Sequence, residues 1–144
     1  MNPDPTQMND TQFSHIAVTC KDPVAFENFY SRHFGMKRAR TISLGEGKEI
    51  VFLKNEGGFY FEIFSEEGPR PFPFIDGDGP HYAGVRHIAF TVEDVDQKIL
   101  EMGEDAVITL GPLSFDDFIP GWKTVWIKDP EGNIVEISQG YKDE

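Results

Sequence analysis

The chain has 144 residues, 39% of them hydrophobic and 13% aromatic, enough for one packed domain or two small modules sharing a core. Its 25 Asp and Glu against 13 Lys and Arg give a net charge of −12, which argues against nucleic acid or an anionic membrane surface as partner. No apolar run approaches the ~20 residues that span a bilayer, and the lone Cys20 excludes an internal disulfide or a cysteine zinc cluster. A cytoplasmic, acidic domain fits these bounds.

The polar, Pro-containing start reads as a flexible segment over 1–12. "FSHIAVT" then predicts a strand rich in β-branched residues. Asp22 offers an N-cap with Pro23 at the first helical position. "DPVAFENFYSRHFG" sets Phe26, Phe29, Tyr30 and Phe34 at helical spacing and stops at Gly35. Three short strands follow near 38–44, 48–54 and 59–64, the last two joined by "NEGG". The stretch 69–84 is dense in Pro and Gly and reads as a long connection.

Beyond it the order repeats. A strand at 86–92 leads to Asp94, with Gln97 three residues on as a capping box. A short helix ends at Gly103, and strands follow near 105–110, 122–128 and 133–138, with "DPEG" turning the last two. "GPLSFDDFIPG" is irregular and predicts a lid or cleft wall. His15 and His87 lie 72 positions apart, and Lys54/Lys128, Gly58/Gly132 and Glu62/Glu136 lie 74 apart. The chain is thus two copies of a βαβββ unit, 13–68 and 85–140, with a linker at 69–84 and a tail at 141–144. The fold class is α+β, the two modules forming an open, barrel-like mixed sheet.

Strand alternation puts His15, Ala17 and Thr19 on one face and Ile16 and Val18 on the other; His87, Ala89 and Thr91 share a face in the same way. Glu62 and Glu136 sit mid-strand among apolar neighbours, where an unpaired carboxylate costs several kcal/mol by rough reckoning. Neither has a basic residue on the same face of its strand. If the units form one curved sheet, His15, Glu62, His87 and Glu136 converge on one divalent ion such as Zn, Ni, Co or Mn.

The phrases "SHIAVTCKDPVAFENFY", "FYFEIF", "GVRHIAFTVEDVD" and "IKDPEGNIVEIS" resemble the vicinal oxygen chelate superfamily, which includes glyoxalase I, methylmalonyl-CoA epimerase, extradiol dioxygenases and bleomycin-resistance proteins. The resemblance spans Phe13 to Ser138. It implies paired βαβββ modules around one divalent metal per site, in homodimers. The order His, Glu, His, Glu is similar to bacterial glyoxalase I, a lyase that isomerises a hemithioacetal of methylglyoxal and a thiol. Carried over, His15, Glu62, His87 and Glu136 fall on the metal positions and Glu136 on the proton-transferring base, with Glu62 a possible second base. Thr19 stands where glutathione-using enzymes carry Arg, and Glu66 where they carry Asn, which argues against glutathione as cosubstrate.

The implied chemistry is removal of a C–H proton beside a carbonyl, with the resulting enediolate stabilised by the metal. Epimerases of this family carry Gln at the position of Glu62, and extradiol dioxygenases use two His and one carboxylate, so both fit less well. An antibiotic-binding protein is the rival of another class, and Phe115, Phe118 and Trp122 would suit its cleft. Further candidates for contact with a small-molecule substrate are Lys123, expected on the Glu136 face from pairing across "DPEG", and Arg70 in the linker. His33 and His81 are expected to face solvent, and Cys20 to be a small packing residue.

Overall fold

A computed structural model describes residues 10–144, so most of the expected flexible segment over 1–12 lies outside the described residues. The elements are β1 (Ile16–Cys20), α1 (Pro23–Phe34), β2 (Lys37–Gly45), β3 (Lys48–Lys54), β4 (Tyr60–Ser65), β5 (Ile88–Thr91), α2 (Val95–Met102), a 3-10 turn (Gly103–Asp105), β6 (Val107–Ser114), β7 (Lys123–Lys128) and β8 (Ile134–Gln139). They build an α+β fold of two open four-stranded sheets, ordered β1-β4-β3-β2 and β5-β8-β7-β6. In each, the first and last strands of the unit pair in parallel and the rest antiparallel. The single curved sheet expected from the repeat is therefore two sheets, joined by side-chain packing.

The helices begin and end as their capping residues dictate. Asp22 accepts from the Ala25 N–H at 3.0 Å, and Gly35 closes α1 at a φ of 65° that a side chain would disfavour. Asp94 accepts from the Gln97 N–H at 3.0 Å, but the capping box is half formed. The Gln97 amide turns to Glu101 instead, and Gln139 from β8 takes the Val95 N–H at 2.7 Å. Strand β6 claims the first residues of the stretch expected to be irregular. As a sheet edge it tolerates Pro112, with register shifts on either side of Leu110.

One core serves both modules. Phe26, Tyr30 and Phe61 of the first pack in a single buried cluster with Val125, Ile127, Val135 and Ile137 of the second, and the Phe34 and Phe90 rings meet at 4.6 Å between centroids. The junction is also polar. The Tyr30 hydroxyl donates to buried Asp129 at 2.7 Å, and Asp129 further accepts from the amides of Glu131 and Asn133 and the Asn133 side chain. Glu131 then accepts the Lys21 and Asp22 N–H groups at 2.6 and 2.9 Å, a carboxylate at the positive end of α1.

His33 corrects the expectation of a solvent-facing residue. It falls on the same helical stripe as Phe26 and Tyr30, is buried, and meets Asp105 at 2.7 Å through Nε2. Lys98 donates to its backbone carbonyl. His81 is exposed, as expected. Cys20 is fully buried, and burial with nearby Glu131 and Asp129 pushes its thiol up to about 12.

Candidate functional site

The repeated histidines stand one residue ahead of β1 and β5, and the repeated glutamates lie mid-strand in β4 and β8. Register matches them: Ala17 pairs with Glu62 and Ala89 with Glu136. His15 Nε2 lies 3.7 Å from Glu62 Oε1, and His87 Nε2 lies 3.5 Å from Glu136 Oε1. These gaps are too long for good hydrogen bonds. They are close to the ~3.4 Å that separates two donors each about 2.1 Å from one tetrahedral ion, so each pair fits two positions of a divalent metal.

The surroundings differ. His15 is the more exposed imidazole, packed edge-on against Phe52, with Nδ1 at 2.7 Å from the Ser14 hydroxyl. His87 Nδ1 instead meets the Asp78 carboxylate at 2.5 Å, and Arg86 grips the same carboxylate with contacts of 2.6, 3.1 and 3.2 Å. Burial pushes the Asp78 carboxyl up, but hydrogen bonds from Arg86 and His87 outweigh it and hold the group below the usual carboxylate range. Burial raises the Glu136 carboxyl above its ordinary value, against the pull of His87. Trp126, cross-strand from Glu136, is 7% exposed, and its indole N–H has no partner of normal hydrogen-bond geometry among the described residues.

Within one chain the two pairs stay apart. Val51, Leu53, Phe61 and Ile63 of the first sheet, and Val125, Ile127, Val135 and Ile137 of the second, face the shared core. By alternation the His–Glu faces turn away from it. Among the described residues, no group of three or more His, Cys, Asp or Glu that could hold a metal is gathered. Each chain presents two separate His–Glu pairs.

The other sequence candidates divide. Lys123 does not share the Glu136 face: it pairs with Gln139, so it points to α2, where its ammonium meets Asp96 at 2.5 Å. The hairpin loop runs from Asp129 to Asn133, five residues rather than the four of "DPEG", and this single-residue change flips the face. Trp122 does reach the Glu136 side of β8, donating to Ser138 at 3.3 Å and packing against Phe115 with the rings tilted at 42°. Phe118 is exposed on the turn beyond β6.

Arg70 lies over the Phe74 ring at 4.5 Å and lines a cleft of about 530 Å³ with Thr19, Lys21, Glu66 and Asn133. Thr19 belongs to the His15 face of β1, but neither His15 nor Glu62 lines this cleft, which opens beyond the C-terminal end of the strand. Asp78, Arg86, Trp126 and Lys21 were not singled out from the sequence. The one signal was an Arg adjoining His87; Asp78 sits in "DGDGP", where no periodicity assigns a face.

Comparison with known proteins agrees with this architecture. The family described as glyoxalase/bleomycin resistance protein/dioxygenase superfamily matches residues 12–137. The chain is similar to the uncharacterized protein YwkD of Bacillus subtilis, 30% identical over 124 residues, 85% of this chain and 92% of the relative. Among solved structures it is similar to a glyoxalase family protein from Enterococcus faecalis, with 29% identity and a TM-score of 0.66 over 91% of this chain and 99% of that one. The fosfomycin resistance protein FosX from Listeria monocytogenes shares the fold, with a TM-score of 0.67 at 16% identity over 93% of this chain and 94% of that one.

Proposed function

Because the chain belongs to the glyoxalase/bleomycin resistance protein/dioxygenase superfamily, we propose that it is a divalent-metal-dependent lyase/isomerase of glyoxalase I type. Its substrate is a small 2-oxoaldehyde–thiol adduct or a related α-hydroxycarbonyl compound. The observation that carries this reading is the duplicated His–Glu pair, in the same strand register in both modules and with matching 3.7 and 3.5 Å separations. His15, Glu62, His87 and Glu136 would hold the ion: Ni, Co or Zn, with Mn also compatible. When bound, a divalent ion stabilises negative charge developing on two neighbouring substrate oxygens.

The protein's own part is proton transfer and positioning. Glu136 takes the proton from the carbon beside the carbonyl and returns it to the adjacent carbon, and Glu62 is placed to do the same on the opposite side. General bases of this kind contribute about 10²–10⁴-fold. The cleft at Thr19, Lys21 and Arg70 receives the rest of the substrate, and its side chains make glutathione a poor fit. The shared core stands between the two His–Glu faces, so a four-donor site is completed by a second copy in a homodimer, module one of one chain facing module two of the other.

Elemental analysis of chelator-stripped protein reloaded with Ni, Co or Zn tests the reading. About one ion per chain is expected, with isomerisation of methylglyoxal hemithioacetals of small thiols other than glutathione. Absence of stoichiometric metal would defeat the enzyme reading and favour a small-molecule-binding protein.

A further inference from the structure

We propose that Asp78, delivered by the linker, is a positioning residue that fixes the proton of His87 on Nδ1 and aims its Nε2 at the ion. The proposal rests on the metal-binding reading of His87 and adds a residue to it. An ionised carboxylate can only accept hydrogen bonds, so a contact of 2.5 Å from Asp78 Oδ1 to His87 Nδ1 requires the hydrogen on Nδ1. In the neutral imidazole, the form that binds a metal, Nε2 is then left as a lone-pair donor, turned toward Glu136 at 3.5 Å.

The carboxylate is itself immobilised. Its side chain is fully buried, and the Arg86 guanidinium meets both of its oxygens. His15 has nothing comparable: the Ser14 hydroxyl beside its Nδ1 can donate or accept, so it selects no tautomer. The two halves of the site are therefore unequal. The second module offers a donor pair set before the metal arrives.

Two measurements test the assignment. In metal-free, nitrogen-15-labelled protein at about pH 8.5, above the ordinary imidazole range, long-range proton–nitrogen correlations report each histidine's tautomer. His87 is expected as the Nδ1–H form, to change to Nε2–H in Asp78→Ala, and to keep Nδ1–H in Asp78→Asn, whose amide oxygen still accepts. Cobalt titration of stripped protein, followed by visible absorption, should then show affinity falling about 10- to 100-fold in Asp78→Ala, with most of it restored in Asp78→Asn. A residue that merely anchored the linker through Arg86 would give equal losses for Ala and Asn and no tautomer change.

An Nε2–H form in the unaltered protein overturns the proposal, as does an Asp78→Ala protein with unchanged tautomer and cobalt affinity. Unaltered protein with the Nδ1–H form but no cobalt uptake would instead defeat the metal reading and leave the Asp78–His87 assignment standing.

Discussion

The His–Glu pair of the second module sits on a more buried sheet face than that of the first, with Glu62 and Glu136 themselves equally accessible. On the outer face of the first sheet Tyr60, Glu62 and Phe64 are all partly accessible, and His15 precedes the strand in an exposed stretch. On the corresponding face of the second sheet Thr124, Trp126, Ile134 and Ser138 are all buried, and linker residue Asp78 holds His87 from behind. Both modules carry the same His–Glu pair, but the 69–84 linker brings a carboxylate, Asp78, to His87 alone of the two histidines. On the proposed reading, the second module would hold the base in the more fixed geometry and the first would admit substrate.

The largest test of that division is at the two glutamates. Glu136→Gln should keep the fold and lower turnover by about 10²–10⁴-fold, the usual worth of a general base, with Glu62→Gln losing less. Steady-state kinetics on an active hemithioacetal decides it; equal losses would make the halves equivalent and remove the asymmetry.

A second test addresses how the modules are tied. Asp129 accepts from Tyr30, Asn133 and backbone amides in a buried setting, and charge-assisted hydrogen bonds contribute about 1.5–3 kcal/mol each. Asp129→Ala should therefore cost roughly 3 kcal/mol or more in urea unfolding. Tyr30→Phe, which removes one donor, should cost less. If both variants unfold with the unaltered midpoint, the tie between α1 and the Asp129–Asn133 loop does not matter to stability.

The smallest expected effect is pH-dependent. His33 holds the Asp105 carboxyl below its ordinary value, with Arg32 assisting. A carboxyl depressed in the folded state stabilises above its unfolded pKa, ~3.9 for Asp, and loses that contribution as pH falls through the folded value. Asp105→Asn should lower the urea midpoint slightly near neutral pH, and the difference should shrink as pH falls below ~3.9 and vanish below the depressed folded value. A difference that persists in acid would assign the effect to packing.

Much of this was legible because strand alternation and helix caps are local. His15, Glu62, His87 and Glu136 could be placed on faces from their own strands, and Asp22, Gly35 and Asp94 mark helix ends in the structure as in the sequence. What escaped depends on non-local geometry. Lys123 was put on the wrong face because hairpin register hangs on a loop whose length differs by one residue from its turn motif. His33 was read as solvent-facing because the partner of its helical stripe lies in the other module, at Asp105. Asp78 had no periodicity to reveal it, since a Gly- and Pro-rich segment carries no pattern of faces. Strand alternation marks the open mixed sheets, but how the two pack through one core depends on contacts between the modules.

Metal content on mixing two inactive variants decides whether the four residues form one centre. His15→Ala and His87→Ala each spoil one half-site, and alone neither should hold a stoichiometric ion. In mixed dimers, a site shared between chains pairs the intact first module of one copy with the intact second module of the other. The account predicts that unfolding and refolding the two together restores one tightly held ion in the mixed dimer, with isomerase activity. If the mixture binds no more metal than the separate variants, the four residues do not form one shared centre.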